Sequence, residues 1–161
     1  MSFKFVLYEE EIKRLEGIVR QLLQEARARA VFLINANGQQ IVSAGEIEKF
    51  DSTSLASLTA GNVAATDGLA KLIGEREFSV LFHEGERDNI YLSIVANRAI
   101  LVVIFDDHSS LGLVRLRVKR SGSDFERIFD DMLKKSGKSN QVHAGPLREF
   151  TDDDISDLFG E

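Results

Sequence analysis

The sequence predicts an α/β sandwich in which a five-stranded, mainly antiparallel sheet carries one helix on one face and two on the other. Three observations predict it. Apolar residues recur at helical spacing in three separate stretches, near residues 8–28, 52–74 and 110–135. Between them lie five short runs rich in β-formers, and their connections are too short for parallel crossovers. One run, Ile100 to Phe105 (ILVVIF), is apolar on both faces, which places it mid-sheet with helices on either side.

Taking the chain in order, Tyr8, Ile12, Leu15, Val19, Leu22 and Ala26 alternate by four and three, giving a first helix over about Tyr8 to Ala28. Glu9, Glu10 and Glu11 suit the dipole at its start, and Arg27 and Arg29 suit its end. Ala30 to Asn35 (AVFLIN) reads as a strand, Asn35 to Gly38 (NANG) as a tight turn, and Gln39 to Ala44 as the returning strand of a hairpin. Gly45 to Asp51 is a loop.

The second helix covers Ser52 to Gly74, with Ser52 or Thr53 as its cap and Gly74 as its stop. Its large residues Leu55, Leu58, Leu69, Leu72 and Ile73 are expected to face a core. A second stripe of Ser57, Ala60, Gly61, Ala64, Gly68 and Lys71 is almost without side chains. Interior glycines cost about 1 kcal/mol each relative to alanine, a cost that persists where another backbone must come close. The stripe is either a docking face for a partner or a seam packed within the protein's own fold or homodimer.

Three strands follow as a meander: Glu77 to His83, Asn89 to Val95 and Ala99 to Asp106. Glu77 to His83 is the expected edge strand, open for pairing across a dimer. Ser109 or Ser110 caps a third helix reaching about Lys135, with Gly122 as a candidate kink. The domain is thus expected over residues 1–135, a flexible linker over 136–149 and an acidic amphipathic tail over 150–161. In that tail Thr151 is a plausible N-cap, and Ile155, Leu158 and Phe159 fall on one helical face, the pattern of a groove-binding peptide.

The totals exclude several functions. The 161 residues, 43% hydrophobic and 29% charged, describe one globular domain. No apolar run approaches the roughly 20 residues of a membrane span, so no membrane insertion is expected. The N-terminus lacks a signal-peptide pattern, so a cytoplasmic protein is expected. With no cysteine there is no thiol nucleophile or thiolate metal site, and a net charge of −6 argues against nucleic acid. The basic cluster Arg115, Arg117, Lys119 and Arg120 lacks base-stacking aromatics. Neither glycine-rich nucleotide fingerprint is present, so no cofactor is expected. His83, Glu84, Glu86 and Asp88 read as a solvated hairpin tip and not as a metal site. Asp106, Asp107 and His108 follow a central strand, where carboxylates can be catalytic, but no second motif supports them, and a role at the cap of the third helix is expected.

The order helix, hairpin, helix, three-stranded meander, helix resembles the Roadblock / dynein light chain family. The segments SLASLTAGNVAATDGLAKLIGE (Ser54 to Glu75), FHEGERDNIYLSIV (Phe82 to Val95), LVVIFDDHSSLGLVRLRVKR (Leu101 to Arg120) and the tail FTDDDISDLFGE are similar to its bacterial gliding-motility branch. The resemblance implies a homodimer that binds one GTP-loaded Ras-like small GTPase, activates its hydrolysis without an arginine finger, and serves cell polarity, with polar localisation. It implies no active site in this chain. The GTPase-binding residues expected are Ser57, Ala60, Gly61, Ala64, Gly68 and Lys71, with the tail's Ile155, Leu158 and Phe159 as a second contact. The rival expectations are a scaffold that leaves GTP turnover unaltered and, in another class, an enzyme using Asp106, Asp107 and His108. Arg76, Arg87 and Arg98, near the meander turns, are the candidates for a finger.

Overall fold

The computed structural model describes the backbone of residues 9–142 and the side chains of residues 9–135. Its elements are α1 (Glu9–Glu25), β1 (Ala30–Asn35), β2 (Gln40–Gly45), a single 3₁₀ turn (Ile47–Lys49), α2 (Ser52–Leu72), β3 (Val80–Glu84), β4 (Asn89–Val95), β5 (Ala99–Phe105) and α3 (Leu111–Val142). The strands form one sheet in the order β2-β1-β5-β4-β3, and every neighbouring pair is antiparallel.

All seven residues of β5 are buried. Its odd-numbered side chains, Leu101, Val103 and Phe105, join Leu15, Val19 and Leu22 of α1 and Phe125, Phe129 and Met132 of α3 in one core. Its even-numbered side chains, Ile100, Val102 and Ile104, join Phe32, Ile34 and Leu92 in a second, smaller core under α2. The sandwich with one helix on one face and two on the other is therefore as the sequence predicts.

The NANG turn closes as its side chains dictate. Asn35 Oδ1 accepts from the backbone N–H groups of Asn37 (2.9 Å) and Gln39 (3.0 Å), and Gly38 takes φ +85°. The hairpin tip rests on α2, for a Cβ at Gly38 would lie 3.0 Å from the Ser57 Cα.

Five local expectations need correction. Asp51 caps α2, accepting from the Ser54 N–H at 3.1 Å, because an aspartate one residue earlier reaches the free donors first. That bond holds its carboxyl below the usual range. Ser110 Oγ caps α3 through the Leu113 N–H, whereas Asp106 folds back on His108. Gly122 does not interrupt α3, which runs through Lys135 to Val142 and so takes in the first part of the expected linker. The rest of that linker and the tail lie outside the described residues. Arg27 and Arg29 stand beyond the end of α1, with Arg27 at φ +54°. Glu11 is not a solvated first-turn acid. It is buried and held by Lys135 Nζ at 2.8 Å, which ties α1 to α3.

Gly45 ends β2 at φ +98°, and a Cβ there would lie 2.4 Å from the Arg29 carbonyl oxygen and 3.0 Å from the Ala30 Cα. Gly45→Ala should therefore destabilise the domain by about 2–4 kcal/mol, through left-handed strain plus backbone overlap. Urea unfolding checks this, and a loss under about 0.5 kcal/mol would contradict it.

Candidate functional site

α2 meets the sheet through its small residues. The residues it buries are Ala56, Thr59 and Ala70, with Leu55 and Val63 half-buried beside them. They recur at three, four and seven, which is one helical seam. The seam on the sheet is made of short side chains, and the large residues are turned outward. Leu58 is 74% exposed, Leu69 57%, Leu72 82% and Ile73 69%. This overturns the expectation that Leu58, Leu69, Leu72 and Ile73 pack in the core. Of that set, only Leu55 points inward.

The small-residue stripe lies beside these leucines on the same outer surface. Ser57, Gly61, Ala64, Gly68 and Lys71 are exposed, and a Cβ on Gly61 or Gly68 would meet nothing within 4 Å. Ala60 is half-buried, since the Gly38 hairpin approaches it. Ile155, Leu158 and Phe159 lie outside the described residues.

The surface continues onto the sheet edge. Asn62 Nδ2 stands 3.2 Å from His83 Nε2, joining α2 to β3. On the opposite, α1/α3 face of the same edge strand, Val80 and Phe82 are more than a third exposed, and Phe82 stacks on Phe105 at 6.1 Å. Six of the seven exposed large hydrophobics in the described residues thus lie on α2, its C-cap or β3, and Leu116 is the seventh. The exposed leucines of α2 make one apolar patch beside the open edge of β3, while Val80 and Phe82 belong to the other face of that edge. Exposed apolar patches and open strand edges are where proteins associate.

Of the arginines near the meander turns, Arg76 and Arg98 share one cleft beside α2 and Arg87 stands apart. Arg98 is half-buried with its guanidinium 3.7 Å from Asp130 of α3, and burial lowers its pKa. Arg76 and Arg98 both line a cleft of about 320 Å³ under α2, together with Asp67, Val63 and Ile94. Arg87 sits on the β3–β4 turn at the opposite end of β3. In that turn Asp88 accepts two bonds from Arg29, at 2.8 and 2.9 Å. Arg29 also holds Glu46 and lies over the Phe50 ring at 5.3 Å. It therefore clamps three loops, a role its sequence position near a helix end does not reveal.

His83, Glu84, Glu86 and Asp88 do not gather into a ligand set among the described residues; Asp106, Asp107 and His108 do bring their ligand atoms within 4.8 Å. That group closes a turn: Asp106 Oδ1 accepts from the backbone N–H of His108 at 3.0 Å and contacts its Nδ1 at 2.9 Å. The His108 bonds lower the pKa of Asp106, and Asp106 raises that of His108. No described helix is long and apolar enough to cross a membrane.

A model of the Roadblock/LC7 domain matches residues 15–105. Among solved structures, the chain is similar to Myxococcus xanthus MglB, with 54% identity, TM-score 0.74, and coverage of 79% of this chain and 96% of that one. It is also similar to the gliding protein MglB of Thermus thermophilus, at 34% identity and TM-score 0.76, covering 81% of this chain and 99% of that one. An MglB with a tetrameric arrangement matches at 33% identity and TM-score 0.76, covering 82% and 99%. Nothing among curated protein sequences matches the chain.

The double variant Ala64→Arg/Gly68→Arg should keep the far-UV dichroism of the native chain and its unfolding free energy within about 1 kcal/mol, because both positions open on solvent. Loss of helix content would show that the stripe is interior.

Proposed function

The chain belongs to the Roadblock/LC7 family, and from that premise we propose that it regulates a Ras-like small GTPase of bacterial cell polarity or motility. In this reading it acts as a homodimer. The leucine flank of α2 and the open edge of β3 supply the self-contact, and the stripe from Ser57 to Lys71 receives one GTP-loaded GTPase. Ile155, Leu158 and Phe159 of the tail make a second contact, and the protein works at the cell poles.

The observation that carries the reading is the outer surface of α2. Its exposed stripe offers backbone-close contact and carries almost no catalytic side chain. A surface of that kind shapes a bound partner and leaves hydrolysis to the partner's own residues. Arg98 is held against Asp130, which disfavours its use as an inserted finger. An arginine finger would contribute about 10³–10⁵ to the rate, so the two mechanisms separate by magnitude.

Phosphate release from a purified Ras-like GTPase, timed with and without this protein, tests the proposal. The expected result is accelerated hydrolysis. Each of Arg76→Ala, Arg87→Ala and Arg98→Ala should stay within a few-fold of the native chain, and Ala64→Arg/Gly68→Arg should abolish binding. A drop of several orders of magnitude in one arginine variant with binding preserved would restore the finger. Binding without acceleration would make the protein a scaffold. Deleting residues 151–161 should weaken partner binding with the fold intact, and unchanged binding would remove the tail contact.

A further inference from the structure

We propose that the groove between α1 and α3 is the resting berth of the chain's own C-terminal segment. Two clefts, of about 210 and 350 Å³, share Ile18, Gln21 and Asp124 and so form one continuous groove along these helices. Its floor is apolar, with Ile18, Leu22 and Ile128, and it is open where Gly17 presents no side chain and a Cβ would meet nothing within 4 Å. Interior glycine in a helix is costly, by about 1 kcal/mol relative to alanine. Here it keeps the floor flat.

The walls carry Arg14, Arg117, Arg120 and Arg127 against Glu25 and Asp124, a basic excess. Arg117 and Arg120 line one end. The Arg117 Nε is buried without a hydrogen-bond partner among the described residues, and the same guanidinium stands 3.9 Å from Glu25. The Nε itself is closed off, but the Arg117 side chain is 31% exposed, so the rest of its guanidinium can meet an incoming carboxylate.

The segment beyond the described helix has the matching chemistry. Residues 148–161 carry Glu149, Asp152, Asp153, Asp154, Asp157 and Glu161 against Arg148 alone, and they space Ile155, Leu158 and Phe159 for one helical face. The lengths also agree. From Ile128 to Val142, α3 rises about 21 Å. Residues 143–150 can span up to about 26 Å, which returns Thr151 alongside Ile128. A helix over 151–161 would be about 16 Å long, the rise of α3 from Arg117 to Ile128. The N-terminal segment before Glu9 is also apolar, but with Lys4 and no acidic residue it lacks the charge to match these walls. Docking needs no GTPase, and a tail so docked is withheld from any partner.

The chain has no cysteine, so paired substitutions report proximity without background. In the full-length protein, Gln21→Cys/Ser156→Cys should form an intramolecular disulfide about tenfold faster than Lys71→Cys/Ser156→Cys, whose α2 position lies across the sheet. Ile155→Ser/Phe159→Ser, and separately Arg120→Glu, should erase that advantage. Equal rates for the two pairs would overturn the proposal, as would a disulfide found only between two copies. It would also fall if Gln21→Cys/Phe5→Cys showed the advantage in its place, since the N-terminal segment would then be the occupant.

Discussion

The two-sided burial of β5 is the constraint from which the rest of the structure follows. A strand apolar on both faces needs cover on both, and here the cover is unequal. Two helices with large side chains close one face into a deep core. The other face has α2 alone, seated on alanine, threonine and valine. The arc of α2 that faces the sheet carries short side chains, and its leucines go to solvent. Each such side chain, once covered, contributes about 1.5–3 kcal/mol. A patch of them beside an open strand edge is a standing drive toward association.

This division of labour separates stability from recognition. The α1/α3 side holds the buried Glu11–Lys135 pair and the aromatic core, so it fixes the fold. The α2/β3 side contributes few buried residues to the subunit, which leaves it free to serve as a contact surface. The Arg29 clamp joins the ends of β1 and β4 to the loop before α2 and so sets where that surface begins.

Much of the fold was legible in the sequence because its signals were local. The period-two strands, the NANG turn and the double-faced β5 each declare themselves within a few residues. The orientation of α2 was not legible by the same means. Ranking side chains by size sends leucines inward, yet the seated seam is Ala56, Thr59, Val63 and Ala70, whose helical spacing was readable but whose hydrophobicity is modest. Likewise the partners of Glu11 and Arg29 lie 124 and 59 residues away, beyond any local pattern. The small-residue stripe was found by its oddity, and it is exposed apart from Ala60.

If the outward leucines of α2 are covered by protein, a second copy of the chain is the first candidate to cover them. Sedimentation velocity of the full-length chain, alone and as Leu69→Glu/Leu72→Glu, tests it most directly. The expected result is a dimer for the native chain at micromolar concentration and a folded monomer for the variant. A native chain that sediments as a monomer, or a variant that associates as tightly as the native chain, would contradict it.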